Sequence, residues 1–147
     1  MNEAVIPSLT MVRRIKAAPA AVFEAWIRPE ILARWWGPHH TMVHTAEIDA
    51  RVGGNFRISL VEDSGARHTV SGTYAEIVPE QRLVFSWAWE ATAELVSRVT
   101  VTFRPVPEGT EVTLVHDRFA NEATATRHRR GWTESFERLA ASFETAA

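Results

Sequence analysis

An α+β fold is predicted, in which a curved antiparallel sheet of seven strands grips one long C-terminal helix, with two short helices between the first and second strands. Three observations carry this. Residues 121–143 place His128, Trp132, Phe136, Leu139 and Phe143 at steps of three and four, one stripe along a helix of about six turns. Residues 41–117 change to a period of two, broken at intervals by turn residues, the pattern of short half-buried strands. No other segment makes a helix long enough to cover the stripe, so the stripe must pack against the strands.

The first strand spans residues 8–16, where Leu9, Met11, Arg13 and Ile15 alternate with Thr10, Val12, Arg14 and Lys16 and leave the inner face ambiguous. Ala18-Pro19 ends it. Proline suits the first turn of a helix, and Val22, Phe23 and Trp26 supply a short apolar face before Pro29 interrupts. A second short helix is expected over 30–36, stopped by Gly37-Pro38. Met42, His44, Ala46 and Ile48 then share one side of a strand that Gly53-Gly54 turns into residues 55–62, whose apolar face is Phe56, Ile58 and Leu60. Asp63-Ser64-Gly65 leads into residues 67–77, where His68, Val70, Gly72 and Tyr74 share a side, and Pro79-Glu80 closes that strand. Residues 81–90 set Leu83, Phe85, Trp87 and Trp89 on one face. Val99, Val101 and Phe103 alternate with Arg98, Thr100, Thr102 and Arg104 in the next strand, and residues 110–117 present Val112, Leu114 and His116. Short turns between consecutive strands make an antiparallel meander. In the long helix Asn121 suits the N-cap and Glu122 the positive end of the dipole, while Glu134 and Arg138 stand in the favourable i,i+4 order on the wet face. Gly131 inside it costs about 1 kcal/mol relative to alanine, which calls for a local reason such as close approach of the backbone to the sheet.

The 147 residues suit a single domain spanning 1–147 that buries about 70% of its extended-chain surface and needs no disulfide or structural metal. Cysteine is absent, so nothing points to an oxidising compartment or a thiolate site. The N-terminus lacks the basic and apolar regions of an export signal, and no apolar stretch approaches the roughly 20 residues of a membrane span, so a cytoplasmic protein is expected. A net charge of −2 gives no global attraction to nucleic acid. The basic group over residues 127–130 reads as the solvated face of the helix.

Ala18-Pro19 with Val22-Phe23 and Ala25-Trp26, Pro29-Glu30, Trp35-Trp36-Gly37-Pro38, the run from Asp49 to Phe56, Gly72-Thr73-Tyr74, Pro79 through Trp87, Gly109-Thr110, His116 and Gly131-Trp132 stand in a telling order. Together they resemble the heat-shock protein 90 ATPase activator homologue-like family, within the START or birch-pollen-allergen-like superfamily of helix-grip proteins. The resemblance covers residues 9–139 and implies a helix-grip fold with a cavity between sheet and helix. It implies no single activity, because superfamily relatives bind lipids and hydrophobic hormones or cyclise polyketides. The eukaryotic activators have an additional N-terminal domain that this sequence does not show, which counts against chaperone regulation.

If the apolar side of each strand faces the helix, His44, His68, Tyr74 and His116 point inward and His128 opposes them from the helix stripe. Apolar and aromatic walls with a few placed polar groups are the composition of a ligand cavity. The plainer alternative is that each polar side chain is satisfied separately by backbone or water near a rim. For a small hydrophobic or aromatic molecule the expected walls are Phe56, Ile58, Trp87, Val101, Leu114, Trp132 and Phe136, and the expected polar contacts are Tyr74, His116 and His128. His116 and His128 are also the catalytic candidates, as acid or base in a cyclisation, dehydration or hydrolysis. Adjacent Asp117 cannot orient His116, because strand neighbours face opposite sides. No nucleophilic triad is supported, since there is no cysteine and no serine in a Gly-x-Ser-x-Gly setting. No metal is expected, because His39, His40 and His44 straddle a Gly-Pro turn without a carboxylate to complete a site. No cofactor is expected either: Gly53-Gly54 lacks the lysine and helix of a phosphate loop. Of Trp35 and Trp36, one indole should be buried and the other half-exposed. Three roles follow in order: ligand binding, an enzyme acting on such a molecule, and a chaperone partner, in a monomer or homodimer.

Overall fold

Consecutive hairpins dictate most of the sheet. In the computed structural model, which describes residues 8–144, the strands are β1 (Leu9–Ile15), β2 (Thr41–Ile48), β3 (Asn55–Glu62), β4 (Arg67–Val78), β5 (Arg82–Trp89), β6 (Ser97–Val106) and β7 (Gly109–Asp117). They form one curled antiparallel sheet in the order β1-β7-β6-β5-β4-β3-β2. The opening stretch inspected for an export signal and the last three residues of the 1–147 domain lie outside the described residues. Because β1 pairs with β7, the chain must cross from one edge of the sheet to the other before β2 begins. Two short helices make that crossing, α1 (Pro19–Ile27) and α2 (Pro29–Leu32), and the long helix α3 (Glu122–Ser142) follows the last strand. Among the described residues no helix is long and apolar enough to cross a membrane.

Local chemistry explains the helix ends. Pro19 occupies the first turn of α1, and the Asn121 side chain caps α3 by accepting from the Thr124 amide at 2.8 Å. The helix expected over 30–36 is cut to the single turn of α2. Adjacent side chains on a helix point about 100° apart, whereas Trp35 and Trp36 are both buried, which the irregular turn after Leu32 allows. This corrects the expectation that one of the two indoles would be half-exposed. Trp35 donates its indole N–H to the Ala25 carbonyl at 3.0 Å, which ties the turn to α1.

Parity holds along β3, β5, β6 and β7, whose alternate apolar side chains are buried, and in β1 Leu9 and Ile15 are buried while Arg13, of the same parity, is exposed. It fails in β2. A register shift between Val43 and Thr45 inserts one extra residue, which reverses the facing of the side chains on one side of it. Val43, Ala46 and Ile48 therefore pack inward, Met42 is 65% exposed, and His44, expected inward, faces solvent.

The concave face is filled with rings. Trp26 of α1 stacks on Trp132 of α3 with centroids 6.0 Å apart and meets Phe136 edge-on, so α1 joins α3 in covering the sheet. At Gly72 the strands approach too closely for a side chain: a Cβ there would stand 1.9 Å from the Ser86 carbonyl oxygen and 2.7 Å from a Phe56 ring carbon. Gly72→Ala is accordingly expected to cost about 2 kcal/mol of unfolding free energy in urea denaturation; a variant as stable as the parent would contradict that packing.

Candidate functional site

A cavity of about 360 Å³ opens between the inner face of β3, β4 and β5 and residues 127–135 of α3, with the loop over residues 36–41 as its third wall. Four indoles, Trp36, Trp87, Trp89 and Trp132, stand in its lining. Trp36 meets Trp132 edge-on at 5.3 Å and 85°, and Trp87 meets Trp89 at 5.6 Å and 88°, so the rings enclose space instead of closing into a stack. Leu60, Pro38 and the glycines Gly37 and Gly131 complete the apolar part, and the exposed side chains of His39, His68 and Arg127 stand at the mouth with half-buried Glu62.

The loop wall is fastened to α3 from both sides of its backbone. Gly37 adopts φ +103°, a conformation that suits glycine, and a Cβ there would stand 2.7 Å from Thr41 Oγ1. The Arg138 guanidinium donates to the carbonyls of Gly37 at 3.0 Å, Pro38 and Thr41 at 3.3 Å and Trp36 at 3.4 Å, and burial draws its pKa below the ordinary arginine value. The His39 amide donates to Glu134 at 2.9 Å, and its ring nitrogen Nε2 lies 3.3 Å from a Glu137 oxygen. That amide bond is the main reason the Glu134 carboxyl sits below its usual range.

His128 on the cavity wall and His116 buried behind it approach to 5.1 Å between ring centroids. An indole N–H can only donate, and this fixes both tautomers. Trp132 donates to His116 Nδ1 at 3.1 Å, so the proton of His116 is on Nε2, which donates to Ser97 Oγ at 2.7 Å. Ser97 in turn donates to the Trp87 carbonyl at 3.3 Å. Trp89 donates to His128 Nε2 at 2.9 Å, so His128 carries its proton on Nδ1 and donates to the Thr124 carbonyl at 2.8 Å. Burial, with repulsion from His128, pushes His116 down to about 2. Burial also lowers His128, opposed by its bond to Thr124 and reinforced by the charge of Arg127. Both imidazoles are therefore neutral, with every ring nitrogen engaged. Asp117, on the outer face as strand parity requires, forms two hydrogen bonds with Arg98 at 3.1 and 2.8 Å. The buried Trp87 N–H has no acceptor among the described residues, and the centroid of the Trp87 ring lies 5.2 Å from that of Trp132 and 5.3 Å from that of His116.

Of the residues singled out from the sequence, Trp87, Trp132 and His128 line this cavity. His116 is fully buried behind them and meets the cavity wall through the bond from Trp132 and through its ring contacts with Trp87 and His128. Phe56, Ile58 and Tyr74 border a separate void of about 10 Å³ beside Trp26 and Leu32, room for one water at most. Burial there pushes the Tyr74 phenol above its ordinary range. Val101, Leu114 and Phe136 belong to the packed core and line neither space. His68 reaches the mouth, where it pairs with Glu62. Alternation identifies the inner face of a strand but not the distance along it at which packing stops, and the cavity occupies one end of the sheet. Trp89 shared the inner face with Trp87 in the strand pattern and could have been included. The loop over residues 36–41 and Arg127 carried no periodic signal, and Ser135, though at stripe spacing in α3, is small and polar and did not stand out as a wall residue.

A profile of the family described as Activator of Hsp90 ATPase homolog 1-like protein matches residues 16–144. Among solved structures, a protein from Chromobacterium violaceum is 28% identical with a TM-score of 0.86, over 95% of this chain and 98% of that one. An AHSA1 protein from Silicibacter pomeroyi is 29% identical with a TM-score of 0.83, over 92% of this chain and 96% of that one. A protein from Arthrobacter aurescens is 25% identical with a TM-score of 0.82, over 95% and 87%. The search among curated proteins finds no match.

Proposed function

We propose that this chain, which belongs to the Activator of Hsp90 ATPase homolog 1-like family, binds a small hydrophobic molecule with a flat, aromatic body in the cavity between its sheet and α3. The supporting observation is the cavity itself: about 360 Å³ walled by four indoles, with the N–H groups of Trp89 and Trp132 already given to histidines. Such walls reward apolar surface and offer few open polar partners to a ligand inside. Proton transfer has less support, because His116 and His128 would each have to break a bond to an indole or to an oxygen before acting. The Hsp90 ATPase activation in the family's description would work through the outer surface and would survive filling of the cavity, which separates that role by experiment.

Gly131 supplies the means. The close approach to the sheet expected there is absent: a Cβ would meet nothing within 4 Å, and Gly131 lines the cavity on the same helix face as His128 and Ser135. Gly131→Ala is expected to raise unfolding free energy by about 0.5–1 kcal/mol. Gly131→Leu should keep the fold and fill the cavity. Naphthalene-sized hydrophobes, screened by thermal shift and native mass spectrometry, should bind the parent and lose binding to the Gly131→Leu variant. No binding to the parent, or equal binding to both, would overturn the reading.

A further inference from the structure

We infer that the molecule held by this cavity carries an anionic group, in the simplest case a carboxylate, which Arg127 receives at the mouth. The inference rests on the proposed binding role and adds its polar half. The interior holds no ionised side chain to pair with a ligand charge, since His128 on its wall is neutral with both ring nitrogens engaged. A charged ligand group must therefore remain at the mouth, where it keeps its hydration and avoids the cost of burying an unpaired charge. The charged groups there are not equivalent. Glu62 is already paired with His68, and His39 is bound to Glu134 and lies against Glu137. Arg127 has only the neutral Thr124 hydroxyl, at 3.3 Å, and among the described residues it forms no ion pair, whereas Arg130 one turn away faces Glu134 at 3.6 Å. A guanidinium without a counter-ion, beside a cavity that selects flat apolar bodies, matches the paired N–H donors that bind a carboxylate. Indole faces also attract cations, but an ammonium would have to displace His68 from Glu62 and approach Arg127, so the anion is favoured.

Three probes with one naphthalene body test this in the full chain: 2-naphthoate, 2-naphthamide and 2-naphthylmethylammonium, titrated by tryptophan fluorescence and calorimetry at low salt. Naphthoate should bind about fivefold more tightly than the amide, the scale of one well-placed ion pair at a surface, and the ammonium more weakly than either. Added salt should close the gap. Arg127→Gln should abolish the preference by weakening naphthoate far more than the amide, and Arg127→Lys should restore part of it; Arg127 is exposed, so both variants are expected to fold. Equal affinity for naphthoate and amide, tightest binding of the ammonium, or an equal loss for all three probes in Arg127→Gln would overturn the assignment of Arg127. Failure of all three to bind the parent would instead remove the binding role beneath it.

Discussion

Trp132→Ala is expected to lower unfolding free energy by about 4 kcal/mol, and Trp132→Phe by about 2 kcal/mol. Trp132 is buried, stacks on Trp26 at 6.0 Å, and meets Trp87 at 5.2 Å and Trp36 at 5.3 Å. Alanine would remove those contacts and leave a void continuous with the existing cavity, where the surroundings have little to collapse onto. It would also leave His116 Nδ1 as a buried acceptor with no donor. Phenylalanine keeps part of the ring packing and loses the N–H, so the cost it retains combines the lost indole–imidazole bond with the smaller ring. Urea denaturation of both variants measures the difference. A Trp132→Phe protein as stable as the parent would contradict a net stabilising contribution from the Trp132 indole.

Acid should weaken the fold earlier than carboxylates alone would require. His116 has a folded value of about 2 against an ordinary 6.5, so below pH 6.5 the unfolded chain accepts a proton that the native state refuses. Its contribution is complete above pH 6.5 and is lost at up to about 1.4 kcal/mol per pH unit below it, about 3 kcal/mol by pH 4. His128 is displaced in the same direction and adds to the slope. Glu90, Glu111 and Glu134 are held below the ordinary 4.5 by their partners, so their contributions are complete above that value and decline only as pH falls below it. The interval between 4.5 and 6.5 thus belongs to the buried imidazoles. Urea midpoints at pH 7.5, 6 and 5 should fall steadily. The slope should flatten in His116→Gln, whose amide can accept from Trp132 and donate to Ser97 without titrating. A flat profile in the parent would contradict the neutral, sealed His116.

Most of the architecture was legible in local patterns. The period of two in β3, β5, β6 and β7, the stripe and Asn121 cap of α3, and the Gly-rich turns each follow from neighbouring residues, since backbone hydrogen bonding and side-chain direction repeat over short distances. Tertiary structure decided what a repeat cannot encode. A single extra residue in β2 sent His44 outward. Both Trp35 and Trp36 entered the core because α2 stopped after one turn. The cavity was placed by residues far apart in sequence: Trp89 with His128, His116 with Trp132, and Arg138 with four carbonyls of the loop over residues 36–41. Periodicity states which face of an element is buried. Where along that face close packing ends, leaving a space, depends on how the curled sheet, the loop and α3 meet, and those contacts exist only once the chain has folded.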